Sequence, residues 1–171
     1  MRNYFKTSII LLTILISNAS QANSYFGFDN GIDGITLSHN ILTYHPFSRT
    51  FNDHGTIKKW NEKNGVTGIR INTSKNFGIG FAYGKNSYYE DMFILEADFK
   101  FNTNSKFISY GASLMLASGY DEWFEEVKYS GGLMPAVYTY GQLNYKDLHL
   151  KVGALNFMAI AIMVEYDIDF K

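Results

Sequence analysis

The sequence predicts an all-β protein: an eight-stranded antiparallel transmembrane β-barrel, preceded by a cleaved signal peptide. Three observations predict it. First, the end of the chain alternates. Ile160, Ile162, Val164, Tyr166, Ile168 and Phe170 fall on one face, and Ala161, Met163, Glu165, Asp167 and Asp169 on the other. A period of two is a strand with two chemically different faces, and a strand this long suits the closing strand of an outer-membrane barrel. Second, mean hydropathy is slightly negative and no 18-residue apolar run exists, which excludes a helical membrane protein. Third, the chain carries 13 Tyr and 14 Phe. Alternating strands hide a lipid-facing surface from hydropathy averages, and aromatic belts mark the two interfaces.

Taken in order, the N-terminus reads as a secretory leader. Arg2 and Lys6 form a basic start and Ser8–Ile16 a short apolar core, too short to span a bilayer as a helix. Ser20-Gln21-Ala22 has the small-x-small spacing of a cleavage site. Residues 1–22 are therefore expected to be the signal peptide and 23–171 a single barrel domain in the outer membrane. Alternation and turn signals place strands at 34–45, 65–73, 77–85, 88–101, 107–119, 133–140, 145–154 and 158–170. Most approach the roughly 9–11 residues that cross a bilayer when tilted. Ser74–Asn76, Asn102–Lys106 and Gly141–Asn144 read as short turns, and 46–64 and 120–132 as long loops. Short periplasmic turns and longer outer loops are the rule for such barrels.

Alternation does not say which face points outward. A soluble lipocalin-like barrel would turn the apolar face inward. Strand 77–85 sets Phe77, Ile79, Phe81 and Tyr83 against Gly78, Gly80, Ala82 and Gly84. Bulky aromatics fit toward lipid and small residues fit a narrow eight-strand interior, so the membrane reading is preferred. The interior then has a polar half, with Arg70, Asn72, Glu96, Asp98, Lys100, Glu165, Asp167 and Asp169. Arg70 and Lys100 are the cations expected to pair that acidic set. The outer half, with Gly80, Ala82, Gly84, Met115, Ala117, Ala159, Ala161 and Met163, reads either as a chamber for one acyl chain or as ordinary packing.

Composition excludes other classes. The formal charge of −1 becomes −3 when Arg2 and Lys6 leave with the leader, so nothing favours nucleic acid. With no cysteine and four scattered histidines, neither disulfides nor a metal site is expected, and no cofactor is implied. Membrane lipids are the expected partners, and the barrel is expected to be a monomer.

Two segments carry possible chemistry. His45 ends the first strand, and Asn86-Ser87 follows the third. The strand map places both at the outer rim. An imidazole beside a hydroxyl suits acyl transfer, because it takes the proton as the hydroxyl attacks a carbonyl. Asn86 is the expected group to hold the ring, although an amide does not stabilise imidazolium as a carboxylate does.

On these residues the chain resembles the outer-membrane lipid A palmitoyltransferase family, PagP. Its Thr-aromatic-His segment is matched by Thr43-Tyr44-His45, and its loop Tyr-Asn-Glu by Trp60-Asn61-Glu62, followed by Gly65 and Gly68. Its Asp-Ser pair falls on Asn86-Ser87 and a sixth-strand proline on Pro135. The resemblance runs over about residues 42–170. It implies an eight-strand barrel moving a palmitoyl chain from a phospholipid to lipid A, with His45, Asn86 and Ser87 as the catalytic set. The family's aspartate is Asn86 here, which removes the obvious partner of His45. The alternative is a non-catalytic outer-membrane barrel acting as a structural or surface-interaction protein.

The remaining candidates have milder readings. Asp121, Glu122, Glu125 and Glu126 form an acidic loop, expected to be solvated, with binding of bridging divalent cations as the sharper option. His54 beside Asp53 is expected to be exposed. His39 shares the parity of His45 and is expected to point inward and lie deeper. Pro135 reads as a strand start, or as a lateral opening for lipid.

Overall fold

The computed structural model describes residues 31–47, 50–53, 56–120, 133–156 and 158–170. The expected leader, His54 and the acidic loop at 121–126 lie outside the described residues. The chain forms β1 (Gly34–Tyr44), β2 (Thr50–Asp53), β3 (Thr56–Lys59), β4 (Thr67–Ser74), β5 (Phe77–Lys85), β6 (Asp91–Asn102), β7 (Ile108–Ala117), β8 (Met134–Tyr145), β9 (Leu148–Leu155) and β10 (Ala159–Asp169). Eight of these close into one antiparallel barrel in the order β1-β10-β9-β8-β7-β6-β5-β4. The remaining two, β2 and β3, pair with each other in the first long loop.

The wall is inverted relative to a soluble barrel. Ile69, Ile79, Phe81, Phe93, Leu95, Leu116 and Ile160 are exposed on its outside, while Arg70, Asp98, Lys151 and Glu165 are buried within it. Exposing large apolar side chains while burying charges is stable only where lipid replaces water around the wall. The fold is an eight-stranded transmembrane β-barrel.

One turn departs from the expected place. Gly141–Asn144 is not a turn but the end of β8, with Gly141 paired to Val152 and Gln142 to Lys151. The alternation runs straight through it: Tyr140 and Gln142 are buried, while Leu143 and Tyr145 are exposed. The strand pattern outweighs the glycine, and the reversal falls at Lys146-Asp147, with Lys146 at φ +52°. Pro135 stands second in β8, opposite Leu116, at the strand start.

The register of β1 against β10 shifts between Asn40 and Leu42. Before this bulge Thr36 and Asn40 are buried; after it Thr43 is. An extra residue in one strand reverses which parity faces inward. His39 is therefore on the outer face, bonded through Nδ1 to Thr67 Oγ1 at 2.9 Å. The expectation that it points inward with His45 is corrected, because the bulge separates the two.

The interior is polar toward the short turns. Arg70 binds Glu165 through Nη1 at 2.9 Å and Nη2 at 3.0 Å and lies 3.4 Å from Asp98 and 3.5 Å from Glu96. Lys151 reaches Glu165 at 2.9 Å and Asp98 at 3.3 Å, and its ammonium lies 4.0 Å from the centre of the Tyr140 ring. Ser113 and Tyr140 donate to Asp98 at 2.6 and 3.0 Å. The pairing expected of Arg70 holds. Lys100 lines the short-turn mouth together with Asp167 and Asp169, and Lys151 is a further central cation that β9 carries inward opposite Met163 and Gln142. Toward the other end the wall is lined by apolar groups. Met115, Ala136, Tyr138, Tyr140 and Ala161 form one cluster, and Val66, Ala82, Met92, Ala117 and Tyr120 another. Tyr138, 1% exposed, and Met115 fill space that the small residues leave, so packing accounts for this half.

Candidate functional site

The bulge that exiles His39 also turns His45 inward at the rim. There its Nε2 lies 2.9 Å from Ser87 Oγ. The two come from strand ends on either side of β4, which starts only at Thr67. Residues 60–64 fill the gap as an irregular bridge. Thr43 N–H donates to Glu62 O at 2.7 Å, Asn61 N–H to Ser87 O at 2.9 Å, and Lys85 N–H to Asn64 O at 3.2 Å. Backbone bonds on both sides hold His45 and Ser87 in register.

The imidazole is packed on Trp60, with ring centres 4.4 Å apart and planes at 22°. Trp60 meets Tyr88 edge-on at 5.0 Å, and Tyr88 meets Tyr120 at 6.0 Å. Burial pushes His45 below its ordinary value of 6.5, and the Glu62 carboxylate acts in the opposite direction. The ring is thus neutral at neutral pH. In the tautomer with the proton on Nδ1, Nε2 accepts from the Ser87 hydroxyl.

Asn86 is fully buried but serves a different partner set. Its Oδ1 accepts from Tyr88 N–H at 2.8 Å and Glu90 N–H at 2.9 Å. Its Nδ2 donates to Glu90 Oε2 at 3.2 Å and to the Gly119 carbonyl. This is a side chain closing its own turn, pinned to the start of the next outer loop. The expectation that Asn86 holds the imidazole is corrected: both ends of its amide are engaged in the 86–90 turn. Trp60 and Glu62 are the neighbours that shape the His45 ring. The sequence offered them only as Trp60-Asn61-Glu62 in the first loop, because nothing local says that this loop folds back between β1 and β5.

No family model and no curated protein matches the chain. Among solved structures it is similar to a designed protein described as "De novo design of transmembrane beta-barrels", with 13% identity and a TM-score of 0.56 over 80% of this chain and 96% of that one. A second designed barrel, "Solution NMR structure of de novo designed TMB2.3", has 12% identity and a TM-score of 0.49 over 84% of this chain and 99% of that one. The first likeness concerns the fold.

Proposed function

We propose that this barrel sits in an outer membrane, exported by its N-terminal leader, and transfers an acyl chain from a phospholipid to a lipid A-type acceptor at its long-loop rim. The observation that carries the reading is the 2.9 Å contact between His45 Nε2 and Ser87 Oγ, made by an imidazole kept neutral through burial. A neutral imidazole takes the proton as a hydroxyl oxygen attacks the acyl carbonyl, and returns it to the departing lysophospholipid oxygen. One ester forms and one breaks, with no net proton change. Ser87 is the hydroxyl partner, or the group that orients the ring toward the acceptor hydroxyl. The PagP-like order of Thr43-Tyr44-His45 and Asn86-Ser87 supports the lipid substrates.

A second reading, a non-catalytic barrel, is favoured by one observation: Asn86 stands where the resembled family has an acid and is committed to its turn. Mass spectrometry of lipid A from cells producing the chain separates the two. The enzyme reading expects an added palmitoyl mass that disappears in His45→Ala and Ser87→Ala. An unchanged lipid A profile from a folded, membrane-located barrel ends it.

A further inference from the structure

The opposite mouth of the barrel, away from His45, holds a cavity of about 490 Å³, within the range of small-molecule sites. Three short turns surround it, and each contributes one lysine. Lys75 comes from the turn after β4, Lys106 from the turn after β6 and Lys146 from the turn after β8. Lys100 adds a fourth from inside β6. Asp147, Asp167 and Asp169 also line the space, so four lysines face three carboxylates.

The inner wall supplies a second, independent observation. His149 lines the cavity and is only 6% exposed. Its Nε2 is bonded to Asp167 Oδ2 at 2.9 Å, and Asp167 also accepts from Thr36 at 2.5 Å. The other ring nitrogen, Nδ1, is buried and has no hydrogen-bond partner among the described residues. A buried polar atom without a partner carries a desolvation cost that a ligand removes. The described residues hold no cluster of metal-ligating side chains, and the lysines of the lining outnumber its carboxylates by one, with the three turn lysines at its edge open to an anion.

We infer that the short-turn mouth binds a phosphate-bearing anion between the turn lysines and His149. Nε2–H donates to Asp167, which leaves Nδ1 to accept from a hydroxyl of the ligand, the P–OH of hydrogen phosphate or a headgroup hydroxyl, while the ammonium groups supply charge-assisted bonds to the phosphate oxygens. The Ser105 and Ser109 hydroxyls add uncharged donors. The phosphate arrives either as a free anion or as the headgroup of a lipid in the adjoining leaflet. This site stands whether or not the His45 rim is catalytic.

The test uses the full barrel in neutral maltoside micelles, which contain no phosphate, and reads the His149 ring by nitrogen NMR. One arm titrates inorganic phosphate against chloride at equal ionic strength. The other adds phosphatidylglycerol without free phosphate. A saturable His149 shift is expected in at least one arm, and the responding arm identifies the source. The apparent Kd is expected to rise at least tenfold in the combined variant Lys75→Ala, Lys106→Ala, Lys146→Asn. These side chains are exposed on turns, and Asn tolerates the positive φ at position 146. The proposal is overturned by no saturable shift in either arm, by a chloride response equal to that of phosphate, or by an unchanged Kd in the variant.

Discussion

Arg70 grips Glu165 across the barrel interior through two parallel hydrogen bonds of 2.9 and 3.0 Å. Glu96 and Asp98 share the same guanidinium. Removing that cation leaves three buried carboxylates facing Lys151. Arg70→Met is expected to cost about 3–5 kcal/mol, the usual penalty for breaking a buried pair. Replacing Arg70 and Glu165 together by methionine is expected to recover part of the loss. Urea unfolding in detergent, followed by the heat-dependent gel mobility of the folded barrel, measures both.

The protonation of His45 follows from its surroundings. Burial lowers its pKa from 6.5 while Glu62 works against the shift. The unfolded ring takes up its proton at higher pH than the folded one, so stability from the neutral ring is complete above 6.5 and declines as pH falls below it. Ring NMR of the folded protein is expected to give a midpoint below 6.5, and Glu62→Gln a lower one still. Any acyl transfer is expected to fall on the acidic side of the same midpoint.

The bulge at residue 41 makes its own prediction. Deleting Ile41 removes the extra residue and leaves the pairs on both sides, Asn40 with Met163 and Leu42 with Ile162, in unbroken alternation. His45 then keeps its inward facing beside Ser87. Its ring titration is expected to stay below 6.5 and its contact with Trp60 to persist, as read by NMR cross-peaks, and loss of either would show that the bulge itself holds the rim.

Tyr138 is expected to be a principal packing residue. Its side chain is 1% exposed and its hydroxyl donates to the Ala161 carbonyl at 3.2 Å. Tyr138→Ala removes a large aromatic from a packed interior and is expected to destabilise by about 3–5 kcal/mol. Denaturant midpoints, with an unchanged slope, check this.

Much of this was legible along the chain because β-structure writes a local period. The residues Phe77 to Gly84 alternate bulky apolar or aromatic side chains with glycine or alanine, and β5 runs from Phe77 to Lys85. Arg70, Glu96, Asp98 and Glu165 follow inward parity and do meet. What failed was local evidence overruled by pairing. Gly141 looks like a turn but sits opposite Val152 in a ladder. His39 and His45 share parity in the sequence, but one bulged residue puts them on opposite faces.

The sequence alone determined the class of the fold and the count of barrel strands, since each depends on residues two apart, and the small residues opposite the bulky ones in 77–85 favoured turning the apolar face outward. It also placed His45 and Ser87 at one rim. Only the tertiary structure decided that they touch, that Asn86 serves its own turn, and that Trp60 and Glu62 shape the imidazole. Those outcomes rest on loop return and register, where residues far apart in the chain compete for the same few hydrogen bonds, and no local pattern records which of them wins.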